Sequence, residues 1–158
     1  MGLSDDKKNY HFARNLKDNN ILYPKDLKDE HDKLYLQVTT KNNPELNDRI
    51  KAISNTLQVN KYEDDKYIIF PVNSIESMID ESTQMSNCVR TYIEDYSNGI
   101  CQIYFMRYKN NKDKSLVTIE VKNKKVVQAR MRFNENITNE IDKIIKKWEK
   151  TLTEVDII

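Results

Sequence analysis

Three consecutive segments in which apolar and polar residues alternate constrain the fold of this chain most strongly. They cover residues 100–108, 115–121 and 126–133, and short polar loops separate them. Alternation over this length is typical of half-buried strands, and strands joined by short loops pair antiparallel. Residues 62–72 fit either one further strand or a hairpin that turns at Asp64-Asp65. The sequence therefore predicts a small antiparallel sheet of three to five strands.

Helical periodicity accounts for most of the remaining chain. Apolar residues recur three and four positions apart, which predicts helices over residues 9–19, 25–41, 45–57, 87–96 and 138–151. Because the helices dominate the first half and the strands follow them, we expect an α+β fold with a helical N-terminal half. The last helix is amphipathic and is expected to pack on the sheet through Ile137, Ile141, Ile144, Ile145 and Trp148.

One further helix start can be argued from a capping pattern. Asn73 is followed three residues later by Glu76, and this spacing resembles a capping box. A helix is therefore predicted to begin near Ser74, with Ile75, Met78 and Ile79 on its apolar face.

Length and composition indicate one soluble domain in the cytoplasm. A chain of 158 residues is about the size of a single domain. No apolar run approaches the roughly 20 residues of a membrane span, and the N-terminus lacks the apolar core of a signal peptide. We expect a polar, partly frayed segment over residues 1–20, a single α+β domain over 21–151 and a tail over 152–158. No membrane partner is expected.

The register of the last two strands follows from the alternation of their side chains. A three-residue loop over residues 123–125 keeps apolar side chains opposite apolar ones, whereas a two-residue loop would pair Ile119 with Gln128. A slip of one residue exchanges the two faces of a strand, so the three-residue loop is favoured. The expected cross-strand pairs are Val117–Met131, Thr118–Arg130, Ile119–Ala129, Glu120–Gln128 and Val121–Val127.

This register predicts one apolar and one polar face. Gln102 and Tyr104 of the preceding strand can join the polar face, and Arg107 has the opposite parity from Tyr104. Arg107 is therefore expected to be partly buried and to need a partner for its charge. The side chains assigned to the polar face by the last two strands are Thr118, Glu120, Gln128, Arg130 and Arg132.

Basic residues are concentrated in the same region. Between Arg107 and Arg132 the chain has nine basic and two acidic residues, a formal charge of +7, while the rest has 17 basic and 23 acidic residues. Such asymmetry favours an anionic partner. Lysine-rich loops also keep a protein soluble and protect sheet edges from pairing. The charge pattern by itself permits both interpretations.

Several short sequence motifs, taken in their order along the chain, resemble those of a known protein family. They are residues 86–92 (SNCVRTY), Gly99, 103–107 (IYFMR), 118–121 (TIEV), 127–130 (VQAR) and Asn134, with 23–27 and 31–34 upstream. Together they resemble the PcfJ-like proteins, which are found on conjugative plasmids, integrative elements and phages. The family commonly has His-Cys-Val where this chain has Asn87-Cys88-Val89. Family members are usually longer, so we expect this chain to match their C-terminal part. The resemblance implies a mobile-element context and no particular chemistry.

The polar face is the strongest candidate site. Arginine grips phosphate with a planar fork, and a glutamate beside arginines can act as a general base. The catalytic candidates are Glu120, Gln128, Arg130 and His31. The binding candidates are Arg107, Tyr104, Thr118, Arg132, Lys122, Lys124, Lys125 and Asn134.

Cysteine and histidine suggest other chemistry. Cys88 with His31 fits a cysteine–histidine nucleophile, and the two with Asp32 fit a metal site. Neither set has the local spacing of a zinc site, and Cys88 lies on an apolar stripe where a free cysteine packs as a small hydrophobe. Packing is therefore the expected role of Cys88 and Cys101. No metal site is predicted, and the sequence does not identify a cofactor.

Three functions are compatible with these observations. The first is an accessory domain of a mobile genetic element that binds DNA, RNA or another anionic partner through the basic hairpin and the polar face. The second is a protein-interaction or regulatory module whose partner belongs to the transfer or phage machinery. The third is a nuclease or transferase in which Glu120 serves as base or metal ligand and Arg130 clamps an anion.

Overall fold

The computed structural model describes residues 44–86 and 92–155, and a five-stranded antiparallel sheet lies at its centre. The strands lie side by side in chain order, each hydrogen-bonded to the next. They are β1 (Tyr62–Glu63), β2 (Tyr67–Pro71), β3 (Gln102–Tyr108), β4 (Val117–Lys122) and β5 (Lys125–Arg130). The predicted antiparallel sheet is confirmed, and residues 62–72 form the hairpin rather than a single strand.

A single aspartate organises the turn of the first hairpin. The Asp64 carboxylate accepts the backbone N–H groups of Lys66 and Tyr67, each at 2.7 Å, and the hydroxyl of Tyr62 at 2.6 Å. An aspartate side chain that bonds the backbone two residues ahead is a common turn-forming device. This arrangement explains why the chain reverses where the sequence places two adjacent aspartates.

The hairpin between β4 and β5 has a two-residue loop, so the predicted three-residue loop is wrong. Lys122 lies opposite Lys125, and Asn123 and Lys124 both adopt positive φ angles of 52° and 63°. This backbone suits a two-residue hairpin turn, because its twist matches that of the strands. Further along, the ladder shifts at Glu120/Val121, and Val121 lies opposite Val126 instead of Val127.

That shift is a β-bulge, and it restores the expected faces. Beyond it the pairs are Thr118–Arg130, Ile119–Ala129 and Glu120–Gln128, as predicted. The bulge adds one residue to β5, which compensates for the shorter loop. Val127 belongs to this bulged stretch and is 52% exposed. The strand ends at Arg130 rather than at residue 133, so Met131 does not pair with Val117.

Four α-helices are described: α1 (Pro44–Leu57), α2 (Ile75–Met85), α3 (Ile93–Ser97) and α4 (Asn139–Glu149). Helix α2 begins where predicted, but its cap is Ser74, whose hydroxyl accepts the N–H of Ser77 at 3.0 Å, and not Asn73. Of the predicted helix over residues 87–96, residues 87–91 lie outside the described part. The described remainder is helical only from Ile93.

Helix α4 packs on one face of the sheet, as its stripe predicts. The indole of Trp148 meets the ring of Tyr104 edge to face at 4.9 Å and donates to the backbone oxygen of Asn60 at 2.7 Å. Ile141, Ile145 and Trp148 are buried. Side chains beneath them come from alternate positions of the strands, including Tyr104, Ile119 and Ala129, and we call this side the α4 face.

The α+β fold class is thereby confirmed. The helices predicted over residues 9–19 and 25–41, with His31 and Asp32, lie outside the described part of the chain, as does Cys88. Residues 44–86 and 92–155 include no helix that combines the length and the apolar character needed to cross a membrane.

Candidate functional site

The side of the sheet opposite α4 carries most of the predicted site. Thr118 lies between Phe105 and Arg130, and Glu120 lies between Ile103 and Gln128. Residues directly opposite one another in a sheet project to the same side, so this polar face contains Thr118, Glu120, Gln128 and Arg130. Arg107 shares it because it has the parity of Phe105.

Tyr104 does not belong to the polar face, and that expectation is wrong. It lies opposite Ile119 on the α4 face and is fully buried under Trp148. Its hydroxyl donates to Gln102 at 2.7 Å and accepts from the side chain of Asn60 at 3.1 Å. Burial raises the pKa of Tyr104 to about 12. Both faces of β3 are apolar over most of its length, so alternation within the strand could not decide its orientation.

Helix α2 covers part of the polar face and supplies a glutamate to it. Glu81 is 1% exposed, and its carboxylate accepts two hydrogen bonds from the Arg107 guanidinium, at 2.5 and 3.3 Å. It also accepts the hydroxyls of Ser115 at 2.5 Å and Thr118 at 2.6 Å. Four charge-assisted hydrogen bonds therefore satisfy both carboxylate oxygens, which makes the buried charge tolerable.

Arg107 is buried as predicted, but it lies on the polar face under α2 and not on the apolar face that the predicted parity implied; Glu81 is its partner. The guanidinium lies over the ring of Phe105 at 4.8 Å and that of Phe70 at 5.8 Å. Its Nε atom is buried and has no hydrogen-bond partner. Arg107 therefore belongs to an internal ion pair and is closed to an external phosphate.

Glu81 is the site residue that sequence reasoning missed. It follows Met78 by three positions and precedes Met85 by four, so it lies on the buried stripe of α2. A glutamate on an apolar stripe, together with an arginine on a buried strand, is the signal that could have paired them.

Glu120 is also largely removed from solvent. It is 8% exposed, Lys122 approaches its carboxylate at 3.7 Å, and its cross-strand neighbour Gln128 accepts the hydroxyl of Tyr92 at 3.5 Å. A general base needs access to the proton that it removes. The residues around Glu120 leave it little such access. Cys101, which burial gives a raised pKa of about 12, is a packed thiol as expected.

Gln128 and Arg130 border a groove of about 430 Å³ between β5 and the start of α4, whose other lining residues are Val126, Val127, Ala129, Asn136, Ile137, Asn139 and Asp142. Two backbone groups of β5 form hydrogen bonds with side chains. Glu149 accepts the N–H of Val126 at 2.6 Å, and Arg130 donates to the oxygen of Ala129 at 3.1 Å. These bonds make the outer edge of β5 less available for pairing with another strand.

The basic stretch is divided between two ends of the sheet. Lys122, Lys124 and Lys125 form the hairpin tip, and all three are exposed. Arg130 lies at the other end of β5, about 17 Å away at the usual rise per residue of a strand. The sequence run of +7 is therefore not one continuous surface.

The opposite end gathers basic residues from two separate segments. Lys112 and Lys114 come from the loop between β3 and β4, and Arg130 and Arg132 come from the end of β5 and the 3-10 turn after it. Gln84 of α2 contacts the backbone of residues 113 and 115, and the turn also contacts α2. We call these four residues the basic end. None of them forms an ion pair with the residues that the structure describes.

No metal-binding constellation is evident in the described ranges, where no group of three or more histidine, cysteine, aspartate or glutamate side chains converges. The side chain of Asn134 lies outside the described part, so its predicted binding role stays a prediction.

Comparison with known proteins identifies the family. The profile of the PcfJ-like proteins matches residues 8–145 of this chain. An uncharacterized Listeria innocua protein, Lin1253/Lin1744, is 28% identical over an alignment of 138 residues that covers 82% of this chain and 29% of that protein. The chain thus spans less than a third of the relative's length. No solved structure matches it. Because the family match covers most of the sequence, the chain belongs to the PcfJ-like protein family.

Proposed function

We propose that this domain binds nucleic acid through the phosphate backbone, as an accessory domain of a mobile genetic element. The observation that carries the proposal is the basic end. Lys112 and Lys114 lie at the same end of the sheet as Arg130 and Arg132, which come from a separate segment, and none of the four forms an ion pair with a described carboxylate. Cations that are not held in ion pairs are available to displace counterions from phosphates.

Only the residues at the edge of the polar face are accessible for binding. Arg107, Thr118 and Glu120 are enclosed, whereas Gln128 and Arg130 are half-buried and border the groove along β5. Phosphate contacts are therefore assigned to Arg130 and the basic end, and Gln128 is the polar face residue that can reach a base or sugar. The mobile-element context rests on the resemblance to proteins of plasmids and phages.

Fluorescence anisotropy with labelled DNA and RNA, single-stranded and duplex, tests the proposal. Four phosphate contacts predict that affinity falls roughly 50- to 150-fold between 50 and 200 mM salt. Arg132→Ala with Lys114→Ala should weaken binding to every sequence by a similar factor. A double variant of Lys51 and Lys143, exposed on α1 and α4, removes the same charge elsewhere and should bind as wild type.

Three results would change the conclusion. Weak binding that does not respond to salt would overturn backbone recognition. Loss of affinity in Lys124→Ala with Lys125→Ala, and not in the variant of the basic end, would move the interface to the hairpin tip. Cleaved strands on a gel with Mg²⁺ would replace binding with phosphodiester chemistry.

A protein partner is the second candidate, and the groove along β5 favours it. Val127 exposes 52% of its surface at that groove, and apolar surface in a groove is a usual feature of protein contacts. Val127→Asp should abolish capture of a partner by the tagged domain while nucleic-acid affinity stays unchanged. Absence of any co-purifying protein would count against this candidate.

A further inference from the structure

Phe133 has an unusual backbone in the turn that follows β5. Its φ and ψ angles are 59° and 29°, in the left-handed region that disfavours residues with a bulky side chain. Two backbone hydrogen bonds close this turn, from Met131 to the oxygen of Glu135 at 3.0 Å and from Glu135 to the oxygen of Arg132 at 3.2 Å. Such a conformation persists only where the surrounding structure holds it, and it often occurs at functional sites.

Packing in the core does not explain the position of the Phe133 side chain. It is 59% exposed, although burying an aromatic ring is one of the larger apolar gains available in folding. The guanidinium carbon of Arg132 lies 5.0 Å from the ring centroid, within cation–π range. The chain thus presents an aromatic ring in a strained turn, with a cation against it.

This ring lies within the basic end. Arg130 precedes it by three residues, Arg132 is adjacent, and the turn contacts α2, whose Gln84 contacts the loop that carries Lys112 and Lys114. Aromatic rings beside a basic surface are the usual means by which proteins hold unpaired bases, since every base has a π-face that can stack. Duplex DNA offers phosphates to such a surface but keeps its bases stacked on each other.

We propose that Phe133 is a stacking platform for an unpaired base, so that the domain prefers single-stranded nucleic acid to duplex. This inference rests on the proposed backbone binding and adds its selectivity. Arg132 holds the ring by its cation–π contact and neutralises a neighbouring phosphate, and Arg130 engages the next phosphate along the strand.

An abasic oligonucleotide separates stacking from backbone binding, because it keeps the phosphates and lacks the bases. Wild-type protein should bind an unstructured 12-mer of single-stranded DNA or RNA about 10-fold more tightly than the abasic strand of equal length. Phe133→Ala should lower affinity for the normal strand to that for the abasic one, and Phe133→Trp should preserve it. Duplex affinity should be the same in all three proteins.

Phe133→Gly tests whether a loss of affinity comes from the missing ring and not from a destabilised fold. Glycine adopts positive φ without strain, so this variant should be at least as stable as wild type by thermal unfolding and should still lose the preference.

The outcomes distinguish this inference from the proposed function. Equal affinity for normal, abasic and duplex strands, unchanged in Phe133→Ala, would overturn the stacking role and leave backbone binding in place. No binding to any strand would overturn both. Loss of duplex affinity in Phe133→Gly would also contradict the stacking role, since a base platform does not act on paired bases.

Discussion

Arg107 and Glu81 form a two-pronged ion pair between β3 and α2, with side chains only 7% and 0% exposed. It ties the helix to the sheet through charge rather than through apolar packing alone. Ser115 and Thr118 complete it with two hydroxyl donors. The pair lies on the polar face, where the sequence predicts a binding site. Because both side chains are buried, their contribution to the free energy of unfolding can be measured separately from ligand binding.

Removing one partner should be far more costly than removing both. Glu81→Leu or Arg107→Met should each lower the free energy of unfolding by about 3–5 kcal/mol, because the remaining charge stays buried without compensation. The double variant Glu81→Leu with Arg107→Met should lose much less than the sum. Urea unfolding followed by the fluorescence of Trp148, the only tryptophan, measures all four proteins. Additive losses would show that the pair is not coupled.

The turn between β4 and β5 should be stabilised by glycine. Lys124 has a φ of 63°, and the preferred sequence for such a two-residue turn is Asn-Gly. Lys124→Gly should be more stable than Lys124→Ala by about 1 kcal/mol, because only glycine adopts this backbone without strain. The two variants remove the same charge, so their difference in urea midpoint isolates the backbone. Equal midpoints would argue against the observed turn.

Acid should weaken the first hairpin through Asp64. Partial burial acts to raise the pKa of Asp64, but hydrogen bonds from Tyr62 and from the N–H groups of Tyr67 and Lys66 outweigh it and leave the pKa below its ordinary value. A carboxylate with a depressed folded pKa contributes stability above its unfolded pKa, near 3.9, and loses it as the pH falls through the folded pKa.

The free energy of unfolding of Asp64→Asn and wild type, measured as a function of pH, tests this contribution of Asp64. The variant should be less stable than wild type at pH 7, and the difference should shrink on acidification below about pH 4. Asp65→Asn controls for the loss of a negative charge in the same turn. A difference that stays constant from pH 7 to pH 2 would contradict the prediction.

Asn60 should contribute more to stability than its polar character suggests. Its amide donates to Tyr104 at 3.1 Å, and its side-chain oxygen accepts the N–H of Thr153 at 2.8 Å. Asn60 and Tyr104 are both buried, so Asn60→Ala takes a hydrogen-bond donor from the enclosed Tyr104 hydroxyl, at an expected cost of about 1–3 kcal/mol. Asn55→Ala, at an exposed position of α1, should stay within about 0.5 kcal/mol of wild type. Thermal unfolding of both variants measures this difference. Equal losses of stability in the two variants would contradict the role of Asn60.

Local patterns predicted the elements well because they reflect local physics. The stripe of α4 and the alternation of β4 follow from periods of 3.6 and 2, which a single segment carries by itself. The burial of Arg107 was predicted from a parity that proved wrong, because α2 covers the polar face on which Arg107 lies. The pairing of Glu120 with Gln128 was also predicted, although from the wrong loop length. Apolar alternation decides which side chains may face the core, and the bulge then adjusts the backbone to that requirement.

The sequence by itself determined the α+β class, the approximate positions of most described strands and helices, and the parity of β4 and β5 on the polar face. Only the tertiary structure decided that α2 covers part of that face with Glu81, that the basic run divides between two ends of the sheet, and that Phe133 is held exposed in a left-handed turn. The physical reason is the range of the interactions. Periodicity is set between neighbouring residues, whereas burial, ion pairing and surface charge depend on which distant segments meet.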